Sequence, residues 1–240
     1  MTVFKSMTLA ALTLASTAPL AMAQEFNLEI EGLNLAPSIA DGFSDDDDLG
    51  REPSVRAKAG YTFSNGAGVR LQFWDMDVSY DQGQDGNLTE IQSRQLDLVG
   101  YNAFEVTPGL EFELSAGVRK LDFEDLNFAD SGLTNTHEFD GIGGVFGVKA
   151  TQAVFGNGGI YGSFETAALF GDLVDNGSDD PQSLLSQMAI GVGYEHSFAV
   201  GPTTTTLKVG YEAHQWTGIE DSSDGAFGFD GLVVGAAVSF

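Results

Sequence analysis

The sequence predicts an all-β chain: a transmembrane antiparallel β-barrel of ten strands, with eight or twelve as the alternative counts. Three observations predict it. Apolar residues recur with a period of two, mid-strand charges fall on the opposite parity, and short connections alternate with long ones. A period of two is the mark of a strand, because successive side chains point to opposite faces. No stretch after residue 23 is long and apolar enough to span a bilayer as a helix. A spanning chain must then satisfy its backbone by closing a sheet into a barrel.

Taken in order, residues 1–23 read as a secretory signal: Lys5, an apolar stretch from Met7 to Leu14, then Ala21-Met22-Ala23, with cleavage expected before Gln24. A membrane anchor needs about 20 predominantly apolar residues, and Ser6, Thr8, Thr13, Ser16 and Thr17 interrupt this segment. Residues 24–240 are expected to form the barrel. Strands are expected to begin near Glu25, Pro53, Ala67, Glu90, Leu110, Phe139, Ile160, Leu185, Thr203 and Gly228. Short turns are expected at Ser64 to Gly66, Thr107 to Gly109, Phe155 to Gly159 and Gly201-Pro202. Long external loops are expected at Pro37 to Gly50, Asp81 to Thr89, Asp125 to Glu138, Asp172 to Ser183 and Ile219 to Phe227.

Parity assigns the faces. The lipid-facing set includes Leu28, Ile30, Val55, Val69, Leu71, Phe73, Leu96, Leu98, Leu114, Val118, Phe146, Val148, Phe164, Phe170, Ile190, Val192, Leu207 and Val209. Phe63, Phe104, Phe112, Phe198 and Phe240 share that parity and fall at the periplasmic ends of five strands, as an aromatic girdle would. A soluble β domain would allow the parity but would not explain the shared height. The opposite parity carries Glu29, Glu31, Asp97, Glu111, Glu113, Glu165, Glu195 and Glu212, with Arg56, Lys58, Arg70, Arg119, Lys149 and Lys208. A Lys or Arg facing hydrocarbon at the midplane costs about 2–4 kcal/mol, so these point into the lumen. Either the acids and bases pair and close it, or water fills it enough for small solutes to pass. The placement of Glu29 and Glu31 beside Arg56 and Lys58 suggests pairing.

Acidic residues outnumber Lys and Arg by 35 to 10, for a net charge of −25, which makes nucleic acid an improbable partner. With no cysteine, no disulfide braces the fold. The four aspartates Asp45 to Asp48 do not follow the EF-hand spacing and read as a solvated loop, so no metal or cofactor is expected. His137 is expected in an external loop, His214 in the lumen and His196 beside Ser197 near the periplasmic end. They assemble no nucleophile, base and orienting group, and the chain is not expected to be an enzyme. Gly141-Ile142-Gly143-Gly144 matches no phosphate-binding fingerprint.

The run Leu207 to Trp216 (LKVGYEAHQW), followed by Gly231-Leu232 to Phe240, resembles the pore-forming outer-membrane family typified by the Legionella major outer-membrane protein. Further echoes, in family order, are Arg56 to Phe63, Val69 to Asp77 (VRLQFWDMD) and Gly191 to Phe198 (GVGYEHSF). The chain departs from that family in lacking cysteines and in its compact loops. The terminal Phe240 resembles the signal read by barrel-assembly machinery. The resemblance implies an outer-membrane pore or surface protein of a Gram-negative bacterium, amid lipid and lipopolysaccharide; with ten strands to make it narrow and acidic external loops to concentrate cations at its mouth, the expectation is a narrow, passive, cation-preferring pore for small hydrophilic solutes. The alternative is a closed structural or adhesive barrel with a salt-bridged lumen. Oligomeric state is not readable from sequence.

Overall fold

In the computed structural model, residues 24–39, 51–81, 88–129, 132–218 and 226–240 are described. Ten strands follow one another: β1 (Glu25–Ile39), β2 (Glu52–Thr62), β3 (Ala67–Asp81), β4 (Leu88–Thr107), β5 (Leu110–Ala129), β6 (Gly132–Ala153), β7 (Gly158–Asp175), β8 (Ser178–Val200), β9 (Thr203–Thr217) and β10 (Ala226–Ser239). Each pairs antiparallel with its chain neighbours, and β10 pairs with β1, so the sheet has no open end. Phe26 and Phe240 exchange backbone hydrogen bonds at 2.9 and 3.1 Å, sealing the seam at its periplasmic end.

The short turns fall where the sequence puts them. Two of the expected long loops do not exist as loops. The segment from Asp125 to Glu138 is mostly strand, because β5 runs on to Ala129 and β6 starts at Gly132. The segment from Asp172 to Ser183 is a two-residue hairpin at Asn176-Gly177. Both residues have left-handed backbones, φ 49° and 79°, the Asn-Gly conformation that matches the twist of a tight hairpin. His137 is therefore a strand residue, register-paired with Asp125 and Asp175. The expected signal at 1–23, the Asp45 to Asp48 run and the remaining loop interiors lie outside the described residues.

Polarity along the strands explains why acidic segments continue as sheet. On β3, Val69, Leu71 and Phe73 face outward and Arg70 and Gln72 inward; beyond Phe73 the order reverses, with Asp75 and Asp77 exposed and Trp74, Met76 and Val78 buried. On β5, Leu114 and Val118 face outward below Lys120 and Asp122, while Arg119 gives way inside to Leu121 and Phe123. The lower part of the barrel is apolar outside and polar inside, as hydrocarbon requires. The upper part is polar outside and apolar inside, as water requires. The barrel leaves the membrane where that inversion occurs.

The lower band carries large exposed apolar residues all round, among them Ile30, Leu71, Leu98, Val118, Phe146, Ile190, Val209 and Val234. At its periplasmic rim Phe63, Phe104, Phe198 and Phe240 are exposed, and Phe112 stacks on Phe104 with centroids 6.3 Å apart. Phe26 joins the rim against Phe240 at 5.4 Å, and Tyr61 against Phe63 at 5.2 Å. An even-stranded, closed antiparallel barrel with such a band is the outer-membrane architecture of Gram-negative bacteria, and that membrane is the location of this protein. Its surroundings are outer-membrane lipid and lipopolysaccharide.

Candidate functional site: the barrel lumen

The membrane-embedded half of the lumen holds a network of ion pairs. Register places Glu31 opposite Arg56 and Glu29 opposite Lys58 on β1 and β2. Arg56 Nε donates to Glu31, and its Nη2 reaches Glu212 Oε1 on β9 at 2.7 Å. Lys58 Nζ lies 3.0 Å from Glu31 and 3.4 Å from Glu29. Lys208 on β9 also reaches Glu31, and Glu29 at 2.5 Å. To do so its stem crosses β10 at Gly235, where an added Cβ would lie 2.9 Å from Lys208 Cε and 3.1 Å from Glu31 Cγ. Glycine is required there by that close approach.

A second centre is built around Arg119 on β5. Its guanidinium donates to both oxygens of Asp97 at 2.8 and 2.7 Å, to Glu165 at 2.5 Å and to Gln187 Oε1 at 2.7 Å. Gln72 and Gln95 donate to Asp97 Oδ2 at 3.0 and 3.1 Å, and Gln187 Nε2 donates to Gln95 Oε1 at 3.3 Å. Strands β4 and β8 are four apart in a ring of ten. The Gln95–Gln187 bond therefore runs nearly straight across the barrel. Arg70 pairs with Glu113 at 2.9 Å and Lys149 with Glu195 at 2.7 Å, each cation lying over a ring, Tyr101 at 5.2 Å and Tyr161 at 5.0 Å. Thirteen of the fourteen charged residues expected in the lumen take part in these ion pairs. Glu111, at the periplasmic mouth, is the one with no ion pair among the described residues.

Above this network the lumen is filled by aromatic and aliphatic side chains. Trp216 on β9 contacts Trp74 on β3 (centroids 6.3 Å), Phe123 on β5 (6.2 Å) and Phe229 on β10 (5.2 Å). His214 packs on Trp74 at 4.8 Å and faces Glu212 through Nε2 at 3.1 Å, joining the two layers. Leu33, Leu35, Ile91, Leu121, Phe139, Leu169 and Leu185 complete the plug, each no more than 1% exposed. Parity alone does not single these residues out, because it matches that of the lumen charges. The signal that finds them is the polarity inversion along each strand.

At the periplasmic mouth an open recess is lined by Glu105, Glu111, Glu195, Ser197 and Thr204. Ser197 Oγ and Thr206 Oγ1 are 2.7 Å apart, and His196 turns outward against Tyr194. At the opposite mouth His137 Nδ1 lies 3.3 Å from Asp175. Among the described residues no group of His, Asp and Glu is arranged to hold a metal ion.

No protein-family model and no curated protein matches the sequence. Solved structures do resemble the fold. The outer membrane protease OmpT from Escherichia coli shares 9% identity over 92% of this chain and 99% of its own, with a TM-score of 0.49. A major outer membrane protein from Thermus thermophilus shares 14% over 91% and 100%, TM-score 0.46. The outer membrane protein OprG from Pseudomonas aeruginosa shares 11% over 91% and 97%, TM-score 0.39. The likeness concerns the barrel alone.

Proposed function

We propose that the protein is a closed structural or adhesive barrel of the outer membrane, non-enzymatic, whose contacts with other molecules are made by its outer surface. The observation that carries this reading is the filled lumen: ion pairs cross the membrane-embedded half, and the Trp74–His214–Trp216 layer fills the half above. Separating a buried pair leaves an uncompensated charge, and all six lumen cations have carboxylate partners, so the side chains that bridge the lumen hold one another in place. Delivery through the signal at 1–23 and insertion by barrel-assembly machinery acting on β10 belong to the same reading. Single-channel recording of folded protein in a planar bilayer tests it. Silence is expected; stable, reproducible current steps would overturn it.

One observation favours the other reading, a narrow cation-preferring pore. Eight acids face six bases in the lumen, and Glu111 stands unpaired among the described residues at its mouth. Conduction would require the Trp74–His214–Trp216 layer to move aside, so a salt-gradient measurement of any current steps should then show cation preference.

A further inference from the structure

Neighbouring strands are consecutive in sequence everywhere in the barrel except at β1 and β10, its two ends. No connecting segment holds that pair in register, and it has the longest loop to close. Side chains cross this seam as well as the backbone ladder. Register puts Arg56 on β2, Glu31 on β1, Gly235 on β10 and Lys208 on β9 in one inward-facing row. Only β10 presents no side chain there. Through that gap the Lys208 stem passes to Glu31 and, at 2.5 Å, to Glu29. In the opposite direction Arg56 reaches past β1 and β10 to Glu212 on β9 at 2.7 Å.

The charges on the two sides of the seam are not equally placed. On the β1–β2 side, Lys58 lies 3.4 Å from Glu29 and 3.0 Å from Glu31, and Arg56 bonds Glu31. Those contacts survive if β1 parts from β10. On the β9 side they do not. Among the described residues Lys208 pairs with Glu29 and Glu31, and the Lys or Arg that pairs with Glu212 is Arg56, all of them across the seam. Glu212 keeps only His214, on its own strand. Parting the strands therefore leaves a cation and a carboxylate without their partners, at the edge of an opened sheet inside the membrane.

We propose that Lys208, Glu31, Arg56 and Glu212 form a latch that holds β1 against β10 from the strands on either side of the seam, and that without it the seam is the first part of the barrel to open. The Lys149–Glu195 pair spans β7 in a similar way, but β7 is joined to both its neighbours by short turns and its register needs no such tie. The latch belongs to the wall, so it acts whether or not the lumen conducts.

Phe26 and Phe240 exchange both backbone hydrogen bonds, so by the two-residue period the amides of Ile30, Gly32, Val234 and Ala236 point across the seam. Their hydrogen exchange in folded protein in lipid nanodiscs reads local opening. In Lys208→Met these four amides should exchange several-fold faster, while those of Val148 and Phe164 on β6 and β7 stay unchanged. Lys149→Met, which breaks a pair away from the seam, should leave the four as they are. The chain has no cysteine of its own, so Leu28→Cys with Val238→Cys, register partners on β1 and β10, gives a single disulfide across the seam. That disulfide should cancel the effect of Lys208→Met. Gly235→Ala, whose Cβ would displace the Lys208 stem, replaces Lys208→Met should the latter not fold. Seam amides that exchange as in the unaltered protein, equal acceleration on every strand, or acceleration that the disulfide leaves intact would overturn the proposal and leave the seam to its backbone ladder.

Discussion

Arg119 and Asp97 stand opposite each other on β5 and β4 and share two parallel hydrogen bonds, Nε to Oδ1 at 2.8 Å and Nη2 to Oδ2 at 2.7 Å. Both side chains are almost wholly removed from solvent. Bidentate geometry of this kind is what makes a buried pair tolerable. Arg119→Met leaves Asp97 without its cation and also strips Glu165 of its partner, and should cost about 3–5 kcal/mol. Adding Asp97→Leu to it should recover much of that loss, because an apolar pair replaces an orphaned charge. Urea unfolding in lipid vesicles measures both, and equal stability of the two variants would show that the pair is not the source of the loss.

Arg56 and Lys58 separate the two readings of the lumen. Neutralising both, as Arg56→Gln with Lys58→Gln, removes two of the cations that face Glu29, Glu31 and Glu212. In a closed barrel the change lowers stability and leaves the bilayer silent, because the Trp74 and Trp216 layer still fills the lumen above. Single-channel recording at several voltages distinguishes the outcomes. Current steps that appear only in this variant would mean that the ion pairs, and not the aromatic layer, keep the lumen shut.

Much of this was legible in the sequence, where one rule governs one stretch of chain. Leu96 and Leu98 outside with Asp97 between them can be read from parity alone, and so can the shared face of Glu29 and Glu31 on β1 with Arg56 and Lys58 on β2, although the register that sets Glu29 opposite Lys58 and Glu31 opposite Arg56 is seen only in the folded sheet. Contacts across the barrel are different in kind. Arg119 with Gln187, or Trp74 with His214, depend on how far the whole sheet shears before it closes, a property that no single strand carries. The plug was hidden because Trp74 follows Phe73 at the point where the solvent changes from lipid to water. Parity continues there while its meaning reverses.

The Asn176-Gly177 turn lies between acidic flanks that read as loop in the sequence, and it carries its own test. Asn176 N donates to Thr136 O at 2.9 Å, and Thr136 N donates back to Asn176 Oδ1 at 3.1 Å, clipping the tip to β6. Gly177 has φ 79°, a region that costs a residue with a Cβ about 1–2 kcal/mol. Gly177→Val should therefore loosen the hairpin, raising amide exchange from Val174 to Asp179 while the ion-pair layer below stays protected. Unchanged exchange there would mean that the turn is held by something other than its own backbone.

The position of the membrane can be read by an arginine scan along the outer face of β4, where Gln92 and Arg94 precede Leu96 and Leu98. Leu98 is 56% exposed in a band that faces hydrocarbon. Leu98→Arg should destabilise the folded protein in vesicles by about 2–4 kcal/mol, the penalty for a cation near the bilayer midplane. Gln92→Arg, beyond the inversion, should cost about 0–1 kcal/mol, as interfacial substitutions do. Leu96→Arg should fall between them, because its longer side chain can reach the headgroups. The same three substitutions in detergent, which has no fixed thickness, should differ much less. A flat profile in vesicles would mean that β4 leaves the bilayer elsewhere, and the inversion between Arg94 and Leu96 would then need another cause.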